Sequence, residues 1–215
     1  MYGNGNNGPM QIKTLIIWLA MTGSALAMNL VRFPHRHIVF PLLLLFLPFF
    51  AGQTALLYSR LIWPKSGLRT LLWLSAAIVI LFPPGFFFYH LVWLDATFIT
   101  PSLTAVQSAV LKSLMLAVTA AIPEEFFFRG WLQETALARY EKPAIFFITR
   151  KNLFTSALFG IAHAVAFLNP LSAATFFPSL LFGWLTERSG GSIVPAVILH
   201  AVSNLVLFIL LSFIG

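Results

Sequence analysis

Apolar stretches of about 20 residues recur along this chain, and most of its Lys and Arg residues fall in the gaps between them. A hydrocarbon core about 30 Å thick is crossed by about 20 residues of helix. Inside it, each backbone N–H and C=O must be satisfied within the segment itself. With 59% hydrophobic and 9% charged residues, the chain is far from a soluble domain, whose charged share is about 25%. The expectation is an all-α, polytopic membrane helix bundle of about seven transmembrane helices. The spans read as 14–31, 38–57, 70–91, 103–131, 152–168, 171–186 and 192–214. Pro83-Pro84-Gly85 predicts a kink in the third rather than a loop.

Residues 1–12 are Gly- and Asn-rich and read as a disordered tail, leaving 13–215 as a single transmembrane domain. The first span carries Ala25-Leu26-Ala27, a possible signal-cleavage site, but its length and the spans after it favour an ordinary membrane helix. The net charge of +7 does not point to nucleic acid. The basic residues come one to four at a time between spans, the pattern that orients membrane proteins, so the expected partner is the lipid bilayer. Placing the N-terminus in the cytoplasm puts Lys13, Arg60, Lys65, Arg69, Arg139, Lys142, Arg150, Lys151 and Arg188 inside. Arg32 and Arg36 then fall outside and break the rule. The chain has no cysteine, which excludes disulfides, Cys-ligated zinc and thiol catalysis.

Against that background, two of the 6 acidic residues stand side by side in an apolar stretch, Ile122-Pro123-Glu124-Glu125-Phe126-Phe127-Phe128-Arg129. A charge at helix-centre depth costs about 2.5–3.5 kcal/mol on insertion scales, which makes such residues functional by default. Glu125 and Arg129 are spaced i, i+4 and share a face. Glu124 is rotated about 100° away and has no built-in counter-ion, so it is the candidate base. Phe159-Gly160-Ile161-Ala162-His163 sets an imidazole among small residues that let helices approach. His200 and Asn204 are again i, i+4, able to donate to one point as an oxyanion hole does, or to act as interhelical glue. Counted from Arg139, Lys151 and Arg188, the residues Glu124, His163 and His200 fall at similar depth, about 18–22 Å at most. A shared polar chamber in the cytoplasmic half is the expectation.

The ordered set E-E-x-x-x-R, F-x-x-x-H, H-x-x-x-N, each in its own span, resembles the CPBP family of intramembrane proteases, which includes CAAX-processing endopeptidases and bacteriocin-processing and self-immunity proteins. The resemblance covers about 103–207, the expected protease core. It implies that Glu124 activates water, that His163 helps to hold it, and that His200 and Asn204 stabilise the oxyanion. Glu125, Arg129 and Phe159 take supporting positions. The residues also admit a zinc site of two His and two carboxylates. The absence of H-E-x-x-H, and Arg129 beside Glu125, favour no metal and no other cofactor. The expected reaction is hydrolysis of a peptide bond in a membrane-associated peptide or protein. A transporter and a non-proteolytic binder are the alternatives; no internal repeat supports the former, and a full motif set argues against the latter. The expected location is a bacterial inner membrane, with the site open towards the cytoplasm. Substrate identity and oligomeric state are not legible here.

Overall fold

The computed structural model describes residues 7–51, 60–64 and 66–214, with side chains from residue 12 onward. Seven helices of eight or more residues are present among them: α1 (Asn7–Leu30), α2 (Arg36–Phe46, extended by a 3-10 turn Leu47–Ala51), α3 (Leu68–Trp93), α4 (Leu103–Ala136), α5 (Arg150–Ala166), α6 (Phe176–Arg188, preceded by a 3-10 turn Pro170–Thr175) and α7 (Val194–Leu211). The chain is an all-α membrane helix bundle. Four helices, at Ile12–Leu30, Leu68–Trp93, Leu103–Ala136 and Val194–Leu211, are each long and apolar enough to cross a bilayer; α2, α5 and α6 are shorter. α1 begins at Asn7, inside the stretch expected to be tail, while residues 1–6 and the end of the expected second span (52–57) lie outside the described residues. α3 runs on through Pro83-Pro84-Gly85 without a loop. Among the described residues, β structure is limited to a small antiparallel hairpin, β1 (Pro143–Ile145) with β2 (Ile148–Thr149), in the loop after α4, and an isolated bridge between Phe98 and Ile214.

Local chemistry sets the helix starts near the site. The Ser102 hydroxyl accepts from Ala105 N–H (3.2 Å) to cap α4, and the Thr149 hydroxyl accepts from Asn152 N–H (3.2 Å) to cap α5. α4 then changes winding. From Ala117 onward much of it is π-helical, with Ile122 N–H bonded to Ala117 O and Leu137 N–H to Leu132 O (2.8 Å). Such i→i+5 stretches are rare and tend to sit at functional sites. Here the wide turn buries ten consecutive residues, Phe126 to Thr135. The fourth span therefore runs five residues past its expected end at 131.

Two apolar cores flank this stretch. One joins Trp18 and Met21 of α1, Leu44 of α2, Phe126, Phe127, Phe128, Trp131 and Leu132 of α4, and Phe159 of α5. The other joins Leu71 of α3, Phe182 and Leu185 of α6, and Ala196 and Leu199 of α7. Large apolar side chains such as Trp73, Leu81 and Leu111 are exposed on the outside of the bundle, a surface suited to lipid rather than water. Small residues close the gaps. A Cβ on Gly160 would stand 2.8 Å from Ala173 O, and one on Gly183 would overlap the Asn152 side chain. α5 can approach α6 and its leading turn only with glycine at these points.

Candidate active site

Glu125 is fully buried and held from two sides. Arg129 Nη1 donates to its Oε1 (3.2 Å), with Nε 3.1 Å from Oε2. His200 Nδ1, from α7, sits 2.9 Å from the same Oε1. A carboxylate accepts, so this contact places the proton on Nδ1. Arg129 is itself held further: Nη2 donates to Ser179 Oγ (2.6 Å) and Ser179 O (3.1 Å), and its guanidinium lies over the rings of Phe159 (4.7 Å) and Phe182 (5.4 Å). The Phe182 ring stacks on His200, with centroids 4.9 Å apart and planes at 16°. Nδ1 of the His200 ring is thus engaged and one face covered, while Nε2 bonds to no described residue.

On α5, the spacing of Phe159 and His163 has a direct meaning. His163 Nδ1 lies 2.9 Å from the Phe159 carbonyl one turn earlier, and the Phe159 ring packs on the imidazole at 4.2 Å. The carbonyl can only accept, so Nδ1 again carries the proton and Nε2 is left for the site. Both Nε2 atoms face Glu124: His163 Nε2 is 3.9 Å and His200 Nε2 4.0 Å from the same oxygen, Oε2. Glu124 takes no direct hydrogen bond from a described residue, although its side chain is only 14% exposed. Glu124, His163 and His200 therefore meet at one point, as their similar depth suggested.

Asn204 is not joined to that point. It is half-buried, one turn beyond His200, and its amide bonds to no described residue. Ser179 and Phe182, which sequence reasoning missed, hold Arg129 and His200. Their signal was present but faint: a lone hydroxyl and an aromatic at i, i+3 in an apolar helix.

Beside Glu124 and His163 lies a cavity of ≈ 50 Å³ whose other walls are Met21 and Ala25 of α1, Phe40 and Leu44 of α2, and Phe128, Ala162, Ala166 and Phe167. Arg129, Trp131, Leu132 and Gln133, which follow Glu124 on α4, are each no more than 1% exposed. The cavity's walls come from α1, α2, α4 and α5, with Phe167 just past the end of α5. Lys151, counted as a loop charge, is also buried: it bridges both oxygens of Glu134 at 2.9 and 3.0 Å. An apolar-neighbour pattern could not reveal this, because Lys151 begins the helix next to Arg150, where a cation ordinarily meets water.

Among the described residues, no group of three or more His, Asp or Glu side chains stands ready to hold a metal ion. Glu124, His163 and His200 are the set that would have to close on one.

Residues 106–206, the segment carrying Glu124, His163, His200 and Asn204, are similar to a family described as type II CAAX prenyl endopeptidase Rce1-like. No curated protein and no solved structure matches the chain.

Proposed function

We propose that this protein hydrolyses a peptide bond in a membrane-associated peptide or protein by glutamate-activated water, without a metal. The observation that carries the reading is the convergence on Glu124 Oε2 of two imidazole Nε2 atoms at 3.9 and 4.0 Å. Those separations are too long for direct hydrogen bonds and suit one bridging oxygen. In this reading Glu124 takes a proton from that water while its oxygen attacks the carbonyl carbon. His163 holds the water. His200, doubly protonated, donates from Nδ1 to Glu125 and from Nε2 to the developing oxyanion; the unengaged Asn204 amide is the second donor. Collapse of the intermediate breaks the C–N bond, and the proton on Glu124 passes to the leaving amine. Glu125, Arg129 and Phe159 act through the histidines as positioning residues. The family's description makes prenylated peptides the first substrates to try.

The test is cleavage of a synthetic pool of apolar peptides, farnesylated and plain, by purified protein in detergent, with products read by mass spectrometry. Cutting that disappears in Glu124→Gln supports the reading. Equal cutting by wild type and Glu124→Gln overturns it.

One observation favours a second reading, a zinc site. Both imidazoles have Nδ1 tied to an acceptor and Nε2 turned inward, as second-shell partners arrange them in metal sites. Stoichiometric zinc by elemental analysis, with activity lost to a strong chelator and restored by zinc alone, would move the assignment there. Location in a bacterial inner membrane with the N-terminus inside is part of the same proposal. A chain without cysteine allows a direct check: single cysteines at Arg36 and Arg139 should label from opposite sides of sealed vesicles.

A further inference from the structure

We propose that the hairpin joining α4 to α5 is a binding site for anionic phospholipid. Its apolar tip enters the leaflet beside the ends of α4 and α6, and Arg139, Lys142 and Arg150 hold headgroup phosphates there. The inference does not depend on the endopeptidase reading. From Arg139 to Arg150 the chain reads Arg-Tyr-Glu-Lys-Pro-Ala-Ile-Phe-Phe-Ile-Thr-Arg, an apolar run with cations on both sides. Aromatic residues favour the membrane–water interface, and Lys and Arg favour the anionic headgroups beside it. Apart from Arg150, which opens α5, the segment lies outside all seven helices. Lipid contact along a spanning helix therefore does not account for its apolar side chains.

Those side chains are bare. Ile145, Phe146 and Phe147 are all exposed, Phe146 by 92%. Ile145 pairs with Ile148, so Phe146 and Phe147 alone make the turn. The backbone at Phe146 has a φ of +50°. Two-residue hairpin turns ordinarily give such a position to Gly, Asn or Asp, because a Cβ is crowded there. In water a phenylalanine at this point is unfavourable twice, through its backbone and through its uncovered ring. An acyl-chain boundary removes the second cost, and turn formation alone has no use for the ring.

The base of the hairpin is fixed to the bundle. Arg150 N–H bonds to Lys142 O (3.0 Å), and the Thr149 hydroxyl both caps α5 and donates to Glu187 of α6. Aromatic rings gather around that base. Phe147 packs on Trp184 (5.1 Å between centroids), and Arg188 lies over the Trp184 ring (5.3 Å). Tyr140 packs on Phe154 (5.7 Å) and carries the Arg139 guanidinium (4.7 Å). Trp184 stands one turn before the end of α6, and Phe154 one turn into α5. Rings and cations thus share the level at which these helices end, the arrangement of an interfacial girdle.

Charge selects the headgroup. Arg139, Lys142 and Arg150 are exposed, and none of them pairs with a described carboxylate. Glu141, the one acid among them, lies 3.9 Å from Lys151 Nζ, on the side of the closed cluster. Three cations are left beside an apolar tip. A phospholipid with a net negative headgroup offers both complements in one molecule, acyl chain to Phe146 and phosphate to the cations. The leaflet that supplies it adjoins the hairpin, because the helices that carry it turn exposed apolar side chains such as Phe154 and Phe177 outward.

The test uses the full chain in vesicles of phosphatidylcholine with phosphatidylglycerol. The chain has no cysteine, so Ala144→Cys, at an exposed hairpin position, carries the only thiol and takes a bimane label. Quenching is read with nitroxide-bearing phosphatidylglycerol, with nitroxide-bearing phosphatidylcholine, and with acrylamide in the water. The label should be quenched by lipid and shielded from acrylamide. The relative affinity for phosphatidylglycerol should be about fivefold or more, the factor that one cation gives at an anionic surface. Replacing Arg139, Lys142 and Arg150 together by Gln should bring it to about one. Phe146→Gly relieves the left-handed backbone, so its thermal midpoint should hold or rise, while acrylamide gains access to the label. A label open to acrylamide with Phe146 in place overturns the proposal and leaves the tip to a water-soluble partner. Equal quenching by the two lipids overturns it, as does a preference that survives loss of the three cations. A label still shielded in a folded Phe146→Gly variant shows that the ring is not the anchor, and overturns it too.

Discussion

Helix α4 carries two buried polar clusters nine residues apart, and they are built to opposite ends. The cluster at Glu134 is closed. Lys151 bridges both carboxylate oxygens, while Gln133 Nε2 donates to Glu134 Oε1 (3.3 Å), Gly183 O (3.0 Å) and Glu187 Oε1 (3.3 Å). Arg60 Nη2 reaches Glu134 O (3.2 Å), and the Thr149 hydroxyl donates to Glu187 (2.5 Å). These contacts lock the end of α4 to α5 and α6. The cluster at Glu125 is closed as well, except on the side of Glu124, where a carboxylate and two Nε2 atoms stand about 4 Å apart beside a cavity. A carboxylate largely withdrawn from water without a hydrogen-bond partner is expensive, and Glu124, with its side chain 14% exposed, bonds to no described residue. The contrast separates a polar group kept for the fold from one kept for chemistry.

Four single substitutions, and a fifth added to one of them, test that contrast, in falling order of effect. Glu124→Gln should lower kcat by about 10²–10⁴ while its thermal midpoint in detergent stays near that of the wild type, because no described residue bonds directly to Glu124. A matching loss of stability would mean that Glu124 belongs with the structural groups. Lys151→Met should do the reverse. Removing one partner of a buried pair costs about 3–5 kcal/mol, and the molecules that remain folded should turn over normally. Adding Glu134→Gln to that variant should recover most of the loss, and a failure to recover would show that Glu134 is needed for more than Lys151. Asn204→Ala is expected to reduce kcat by about 10²–10³ with little change in KM. Its amide bonds to no described residue, so a drop in thermal midpoint with intact kcat would reassign it to packing. Gly183→Ala forces a Cβ into the Asn152 side chain and towards Gln133 Oε1. It should destabilise by about 1–3 kcal/mol through the closed cluster, leaving kcat of the folded fraction unchanged.

Much of the site could be read from local spacing. Glu125 with Arg129, and Phe159 with His163, are i, i+4 relations, and a helix presents them to each other wherever it lies. The apolar run around Glu124-Glu125 likewise marked a buried charge. Lys151 could not be read in the same way, because whether a cation at a helix start meets water or a carboxylate depends on the distant Glu134. Charge counting, likewise, orders the loops along the chain and carries no information on which residues of the bundle, such as Trp131 and Leu132, are buried.

By itself, then, the sequence determined an all-α membrane bundle and nominated Glu124, His163, His200 and the Glu125–Arg129 pair, because lipid imposes helices and helices impose their own periodicity. Only the tertiary structure decided which nitrogen of each histidine faces Glu124, that Ser179 and Phe182 hold Arg129 and His200, and that residues of α1 and α2 wall the cavity beside Glu124. Those features rest on contacts between residues far apart in the chain, such as 75 positions for His200 with Glu125 and 50 for Arg129 with Ser179. No helical repeat extends over such separations; the packing of one helix face on another sets them.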